Sequence, residues 1–410
     1  MYDQVCRVLA ENGTRLLYTA NRAAGGVVKM LESEYASLRG ETSLNEKIAF
    51  ELALTGAYSS KRTACLFSTE GLYEALDPLM SSAYTGVIGG FVIVCVKETE
   101  EEITPLGLFS KLPLVVTESQ DEFKKAIGFG YEISEKYEIP VIVQVAPDVA
   151  AQTKGKSSSS IQNSEFKINN SVFNKNPGRW AATPKFRYEL HRALNEKIEK
   201  IRHEFETYEG NRKSIKSKTG VITNGHTNLD FFDEDSSLLF IATVHPLPVK
   251  LVNDFIAGME EVFIAEGPYP AIELQIQDRS KIVSAKVGDI PERKKPQETM
   301  YGFDVVRDTL GPASSINMAH GIKKTEPGKK ILAITFEDFF LHSGMPAFVN
   351  TLYNGSAYII LILGDKKEEE IKKILAGFGF NNVFRIDNFS EIERFKDTED
   401  MTVLFCRGII

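Results

Sequence analysis

Short apolar runs alternate with helix-length amphipathic segments along most of this chain of 410 residues. Apolar runs of about four to eight residues are typical of buried strands, and helix-length spacing between them favours parallel pairing. The clearest such strand is Phe91–Val96, and the clearest amphipathic helix is Glu46–Tyr58. The alternation therefore predicts an α/β protein built from parallel sheets.

Two segments interrupt the alternation and divide the chain. Gln152–Ser160 is rich in serine and lysine and contains no core-forming residue, and Pro291–Pro296 is charged and bounded by prolines. Both compositions are typical of linkers, and the chain is long enough for several domains. The predicted segments are a first α/β domain at 1–150, a linker with a long helix at 151–215, a second α/β domain at 216–292 and a third at 293–410.

The same periodicity predicts the remaining elements of these segments. Further strands are expected at Thr63–Phe67, Leu112–Val116, Pro140–Val145, Val221–Thr223, Leu238–Val244, Val262–Ala265, Ile282–Val287, Lys330–Thr335, Ala357–Leu363, Asn382–Ile386 and Thr402–Cys406. Further helices are expected at Glu122–Tyr137, Phe186–Tyr208, Pro248–Met259, Phe348–Tyr353, Glu368–Phe378 and Ser390–Phe395.

Composition and charge argue against several classes of protein. The net charge of −8 is unfavourable for binding nucleic acid or an anionic membrane surface. The longest apolar run, Gly86–Val96, is about half of the ~20 residues that a membrane helix needs. The cysteines Cys6, Cys65, Cys95 and Cys406 form no CxxC pair, so we expect no iron–sulfur cluster in this chain. We expect a cytoplasmic protein with neither a membrane nor a nucleic-acid partner.

Common catalytic motifs are absent from the sequence. It contains no P-loop, no dinucleotide-binding glycine motif, no HExxH motif and no GxSxG motif. The six histidines include no pair spaced four residues apart, as a helical metal site would need. Periodicity and composition alone therefore indicate only a three-domain α/β protein.

Several segments in the first half of the chain carry a family resemblance. Asn45–Ala53, Asp77–Met80 and Ala83–Gly90 resemble the pyrimidine-binding domain of the large (alpha) subunit of indolepyruvate:ferredoxin oxidoreductase. Arg179–Phe186 and the helix that follows it resemble the inter-domain segment of the same family.

The second half of the chain carries the same resemblance. His245–Pro248, together with Glu266, is similar to the family's transketolase C-terminal-type domain. Met318–Gly321 and Phe339–Gly344 are similar to its diphosphate-binding domain. The similarity covers nearly the whole chain in the family's order. The chain is identified as a degenerate, truncated member, because the cysteine-rich, ferredoxin-like tail of the family has no counterpart here.

The resemblance implies a cofactor, a reaction and partners. The family uses thiamine diphosphate with Mg²⁺, decarboxylates aryl 2-oxo acids and passes electrons through iron–sulfur clusters to ferredoxin, with coenzyme A as acyl acceptor. A second, smaller beta subunit completes the enzyme. The resemblance also implies a homodimer, because paired chains commonly supply the pyrimidine-type and diphosphate-type domains that share one cofactor.

By the same resemblance, several residues take cofactor positions in the third domain. Met318, His342 and Ser343 correspond to the diphosphate-binding region. The family's metal-binding Asp and Asn correspond to Glu337 and Asp365, and both side chains still offer the oxygen ligands that Mg²⁺ prefers.

Glu46 corresponds to the glutamate that activates the cofactor in the family. By the resemblance, its carboxylate hydrogen-bonds the aminopyrimidine ring and promotes the imino form, which deprotonates the thiazolium carbon. The alternative role is structural, since the helix dipole favours a carboxylate at a helix N-terminus. The sequence leaves both roles open.

The loops that would contact the cofactor depart from the family pattern. Phe336 replaces a glycine that keeps the backbone close to the diphosphate, and Lys366–Glu370 runs directly into a helix where the family has a wrapping loop. Leu17–Arg22, Ser68–Gly71 and Lys97–Glu102 replace further family loops near the substrate and the cofactor. Loops vary more readily than cores, but several such changes together indicate lost chemistry on a retained fold.

Three functions stay open at this point. The favoured one is a catalytically silent structural or regulatory subunit. The alternative is an active thiamine-diphosphate enzyme that oxidatively decarboxylates an aryl 2-oxo acid and passes electrons to a separate iron–sulfur partner. The third is an interdomain cleft that has taken a different small ligand.

Overall fold

The chain forms two compact units, residues 1–291 and residues 292–410, and each is described here by itself. The computed structural model describes residues 2–97, 103–146, 173, 175–180, 183–225, 232, 234–267, 269–287, 298–300, 303–308 and 310–407. The two predicted linkers, Gln152–Ser160 and Pro291–Pro296, lie outside these residues.

The first unit contains two sheets with interleaved helices. Its strands are β1 (Leu16–Thr19), β2 (Arg39–Thr42), β3 (Thr63–Ser68), β4 (Phe91–Val96), β5 (Leu114–Thr117), β6 (Val141–Val145), β7 (Arg212–Ser214), β8 (Thr219–Thr223), β9 (Ser237–Phe240), β10 (Thr243–His245), β11 (Glu261–Glu266) and β12 (Ile282–Val287). Its helices are α1 (Tyr2–Glu11), α2 (Arg22–Leu31), α3 (Glu46–Tyr58), α4 (Thr69–Glu74), α5 (Leu76–Thr85), α6 (Thr104–Ser110), α7 (Gln120–Tyr137), α8 (Pro177–Trp180), α9 (Pro184–Phe205) and α10 (Val249–Gly258).

The larger sheet of this unit has the strand order β10-β5-β6-β4-β3-β1-β2. All of its pairs are parallel except the edge pair of β10 with β5. Strands β4 and β6 are buried along their whole length, which explains why β4 is a continuous apolar run and β6 has only one polar residue, Gln144. Helix α3 begins where the Asn45 side chain accepts a hydrogen bond from the Ile48 amide at 2.9 Å.

The smaller sheet has the order β12-β11-β8-β9-β7, and only β7 runs antiparallel to its neighbour. One continuous apolar core joins the two sheets, from Val5 in α1 to Ile276. Packing alone therefore does not separate residues 1–150 from residues 216–292, and the predicted division of these segments stays a prediction.

One strand prediction is wrong in an informative way. The apolar run predicted as a single strand, Leu238–Val244, forms β9 and β10, which belong to different sheets. The Asn211 side chain accepts hydrogen bonds from the amides of Ala242 and Thr243, at 2.9 and 3.1 Å, where the chain leaves the smaller sheet. The run is interrupted by a polar side chain from another part of the sequence.

The second unit contains one sheet of order β13-β14-β15-β16-β18-β17, parallel except for the edge strand β13. Its strands are β13 (Glu298–Met300), β14 (Phe303–Arg307), β15 (Ile331–Phe336), β16 (Ile359–Leu363), β17 (Val383–Ile386) and β18 (Thr402–Cys406). Its helices are α11 (Ser314–Thr325), α12 (Glu337–Phe339), α13 (Met345–Tyr353) and α14 (Glu368–Gly377). Two apolar clusters form its core.

Two short segments of the second unit are helical but not α-helical. Phe340–Gly344 forms a π-turn that joins α12 to α13. Phe389–Phe395 is a 3₁₀-helix, where the sequence predicts a helix at Ser390–Phe395. The fold class predicted from the sequence, α/β with mostly parallel sheets, is confirmed.

Candidate functional site

Parallel pairing of β15 with β16 places the two predicted metal ligands at the same edge of the second unit's sheet. Phe336, the last residue of β15, lies opposite Leu363, the last residue of β16. Glu337 follows β15 directly, and Asp365 follows β16 after one glycine. The carboxyl edge of a parallel sheet is the usual place for a ligand site.

The Glu337 carboxylate is bonded to the backbone of the neighbouring turn. Its Oε2 atom accepts hydrogen bonds from the amides of Lys366 and Lys367, at 3.1 and 3.0 Å. Glu337 is only 9% exposed. A buried carboxylate needs such donors, because desolvation without them is costly.

Gly364 allows this carboxylate to lie directly against the turn. Its φ of +141° is a conformation that side chains rarely adopt. A Cβ atom at this position would lie 2.5 Å from Cδ and from Oε2 of Glu337. The space around the Gly364 backbone is therefore filled by a side chain of the chain itself.

Two other carboxylates near this turn are also engaged by cations. Asp365 is exposed, and its Oδ2 atom lies 2.7 Å from Nε of Arg407. The buried carboxylate of Glu368, at the start of α14, lies 2.5 Å from Nζ of Lys372 and 2.6 Å from an Arg385 guanidinium nitrogen. The role of Arg407 was not apparent in the sequence, where it is an isolated basic residue after a strand.

Phe336 presents an aromatic ring where the family resemblance places a glycine. It is 40% exposed, and its ring packs edge-on against that of Phe339 at 5.7 Å between centroids. Phe339 is 38% exposed. An exposed aromatic pair therefore stands at the end of β15, where a diphosphate would need the backbone uncovered.

The residues predicted to contact the diphosphate lie in two neighbouring elements. Met318 is half-buried in α11 and packs against the unit's core. His342 and Ser343 lie in the π-turn, and Nδ1 of His342 is 2.5 Å from Oγ of Ser343. A Cβ atom at Gly344 would lie 3.1 Å from Cβ of Ala313, the residue before α11, and 3.3 Å from Cδ1 of Ile316, so the start of α11 packs closely against this turn.

Glu46 lies in the first unit, at the first position of α3. The carboxylate is half-buried and lies against Gly71 in α4, where a Cβ atom would be 2.7 Å from Oε1 of Glu46. The Gly71 amide donates a hydrogen bond to Oγ of Ser68 at 3.1 Å. This position is compatible with both predicted roles of Glu46, since it combines a helix N-terminus with partial exposure.

The transketolase-like segment of the first unit holds a buried carboxylate and a buried imidazole. Glu266 accepts hydrogen bonds from the amides of Ala271, Ile272 and Glu273, at 2.8, 2.7 and 3.0 Å. Burial raises the pKa of Glu266, and these three hydrogen bonds oppose the shift. Glu266 thus fixes the loop that follows β11 through its hydrogen bonds to the backbone.

The buried imidazole is that of His245, and the peptide bond between His245 and Pro246 is cis.

The residues at the edge of the second unit's sheet do not fit thiamine diphosphate and Mg²⁺. Glu337 fills the place beside the Gly364 backbone, Asp365 is paired with Arg407, and an aromatic side chain covers the end of β15. Among the described residues, no group of three His, Cys, Asp or Glu side chains is arranged to hold a metal ion. Nor does any described helix have the length and apolarity to cross a membrane.

The fold is shared with a 2-oxoacid:ferredoxin oxidoreductase. The solved structure of 2-oxoglutarate:ferredoxin oxidoreductase from Magnetococcus marinus matches with a TM-score of 0.52 and 14% sequence identity, over 70% of this chain and 61% of that chain. No protein-family model matches the chain.

Sequence comparison gives relatives of a more particular kind. Indolepyruvate oxidoreductase subunit IorA from Pyrococcus abyssi is 26% identical, over 79% of this chain and 67% of that subunit. The IorA subunit from Thermococcus kodakarensis is 29% identical, over 71% of this chain and 48% of that subunit. The family resemblance inferred from the sequence is confirmed. The chain spans between about half and two thirds of the length of these two relatives.

Proposed function

We propose that this relative of IorA is a catalytically silent structural or regulatory subunit. It would keep the family's fold, bind a partner subunit through it, and not itself turn over a 2-oxo acid. The relationship to subunits of an indolepyruvate oxidoreductase supports a role within a multi-subunit assembly. Two partners follow from the resemblance, a second copy of this chain and a smaller beta-type subunit.

The engagement of Glu337 carries this proposal. A carboxylate whose Oε2 atom already accepts two backbone hydrogen bonds and lies against Gly364 can bind a cation at that oxygen only in competition with these contacts. The ion pair of Asp365 with Arg407 adds a second engaged carboxylate at the same edge. A cation at this edge would have to displace interactions that the protein already makes.

Calorimetric titration of thiamine diphosphate with Mg²⁺ into the purified chain tests the proposal. We expect no saturable heat with cofactor up to millimolar concentration. The variants Glu46→Ala and Asp365→Ala serve as controls, and each should behave like the unchanged chain.

Cofactor binding followed by turnover is the result that would contradict the proposal. Micromolar binding that is lost in both variants, followed by oxidative decarboxylation of an aryl 2-oxo acid with an added electron acceptor, would contradict a silent subunit. Arylpyruvates are the first substrates to screen, because the relatives are named for indolepyruvate.

One observation favours the competing function, an active thiamine-diphosphate enzyme that delivers electrons to a separate iron–sulfur partner. Glu46 is retained at the start of α3 and is partly accessible. If this function is correct, Glu46→Gln should abolish turnover in the assembled complex while leaving the fold intact, because the amide cannot exchange a proton with the aminopyrimidine ring. Activity that survives in Glu46→Gln would exclude this mechanism.

A further inference from the structure

The turn after β16 has two backbone donors whose partner is a side chain from the neighbouring strand's end. The amides of Lys366 and Lys367 both donate to Oε2 of Glu337. These two amides precede α14, whose first hydrogen-bonding groups have no partner within the helix. The Lys367 side chain does not cap this helix, because lysine offers no acceptor.

The neighbouring backbone is shaped around the same carboxylate. Gly364 has a positive φ, and its Cα hydrogens face Cγ, Cδ and Oε2 of Glu337. Its own amide donates to the carbonyl of Cys406 in β18 at 3.0 Å. The turn is thus fixed on one side by the sheet and on the other side by Glu337.

We propose that Glu337 is a structural clasp for the Gly364–Lys367 turn. In this role its carboxylate occupies the space and the backbone amides that a bound diphosphate and its metal would need. An anion bound there would compete with a carboxylate that is already paired with both amides. This assignment rests on the proposed silent function, because only a silent subunit needs no metal ligand at position 337.

Amide hydrogen exchange at Lys366 and Lys367, in the full chain, tests the clasp. Glu337→Ala removes the acceptor, so we expect both amides to exchange at least ten times faster, while the strand amides of β15 keep their protection. Glu337→Gln keeps a neutral carbonyl oxygen of the same reach and should retain most of the protection. Glu370→Gln, an exposed position on α14, is the matched control and should leave both amides unchanged.

A shorter carboxylate provides an independent variant if Glu337→Ala does not fold. Glu337→Asp keeps the charge but loses one methylene, so the clasp predicts faster exchange of both amides in spite of the retained ligand chemistry. Equal exchange rates in the unchanged chain, Glu337→Ala and Glu337→Asp would overturn the assignment.

Titration with Mn²⁺, followed by electron paramagnetic resonance, separates a clasp from a metal ligand. We expect no stoichiometric Mn²⁺ binding to the unchanged chain at submillimolar metal. One bound Mn²⁺ that is lost in both Glu337→Gln and Asp365→Asn would overturn the clasp. Turnover of a 2-oxo acid together with protected amides would contradict the silent function and the closed diphosphate site, and would leave only the support of the turn by Glu337.

Discussion

His245 is the most strongly shifted histidine among the described residues. It ends β10 and is buried against Gly107 of α6. Burial lowers the pKa of the His245 ring from its ordinary value of 6.5 to about 4, and the charges of Arg202 and Lys111 reinforce the shift. Neither ring nitrogen has a hydrogen-bond partner, in the part of the chain that the structure describes, that could offset the burial. The ring is therefore neutral in the folded protein at pH values where an unfolded chain would protonate it.

This shift makes the first unit sensitive to mild acid. Between pH 6.5 and about 4, His245 is protonated in the unfolded state but stays neutral in the folded state. The stability that is present above pH 6.5 is therefore lost as the pH falls through this range. The difference corresponds to about 3 kcal/mol. Urea denaturation at several pH values should give a shallower loss of stability for His245→Gln than for the unchanged chain.

The exposed His203 on α9 supplies the control for this measurement. His203→Gln should keep the steep dependence of the unfolding free energy on pH. Identical slopes for His245→Gln and the unchanged chain would show that another group governs the acid sensitivity.

At the scale of elements, Asn211 binds the segment between β9, in the smaller sheet, and β10, in the larger sheet. Its amide nitrogen donates to the carbonyl of Phe205 at 2.9 Å and to Oγ1 of Thr243 at 2.8 Å. Its oxygen accepts from the amides of Ala242 and Thr243. One side chain thus connects the end of α9 to the chain between β9 and β10.

Asn211→Ala should therefore destabilise the protein by about 1–3 kcal/mol, since it leaves several backbone groups without their partner. The free energy of unfolding from urea titration measures this cost. Asn253→Ala, an exposed change on α10, should stay within about 0.5 kcal/mol of the unchanged chain. A similar effect of both variants would contradict the role of Asn211.

The sequence predicts elements well where burial alone determines them. Phe91–Val96, Glu46–Tyr58 and Thr402–Cys406 were predicted with the observed ends. These strands are buried along their whole length and the helix has a capping residue, so local pattern and tertiary packing agree. The break between β9 and β10 could not be predicted, because Asn211 lies about 30 residues earlier in the chain.

The candidate site shows a similar division. The strands predicted at Lys330–Thr335 and Ala357–Leu363 are parallel neighbours in the structure, and Glu337 and Asp365 follow their ends. The hydrogen bonds from the Lys366 and Lys367 amides could not be predicted, because a sequence does not reveal which backbone groups lack a partner. The residue type thus shows which chemistry a side chain can offer, whereas its hydrogen-bond partners depend on the folded turn.

At the scale of the whole molecule, assembly is the property that the proposed function most depends on. We expect a homodimer, as the resemblance to the indolepyruvate oxidoreductase family implies. Sedimentation velocity at micromolar concentration should give a mass near twice the chain mass of 45.7 kDa. The mass should stay the same when thiamine diphosphate and Mg²⁺ are added, because a silent subunit does not need them to pair.

A single species of 45.7 kDa throughout the micromolar range would contradict the homodimer. Conversion of such a monomer to a dimer by thiamine diphosphate would also argue against silence, since only a bound cofactor could link assembly to its concentration.

The hydrogen bonds of Glu337 also restrict how a metal ligand could be introduced at this edge of the sheet. Replacing Glu337 with aspartate would sacrifice the support of the Gly364–Lys367 turn before any cation arrived to compensate for it. Restoring glycine at Phe336 would leave the carboxylate still attached to the turn. Under the proposed silent function, aspartate at position 337 would thus loosen the turn, and glycine at position 336 alone would not release the carboxylate, so neither change by itself would provide a metal ligand.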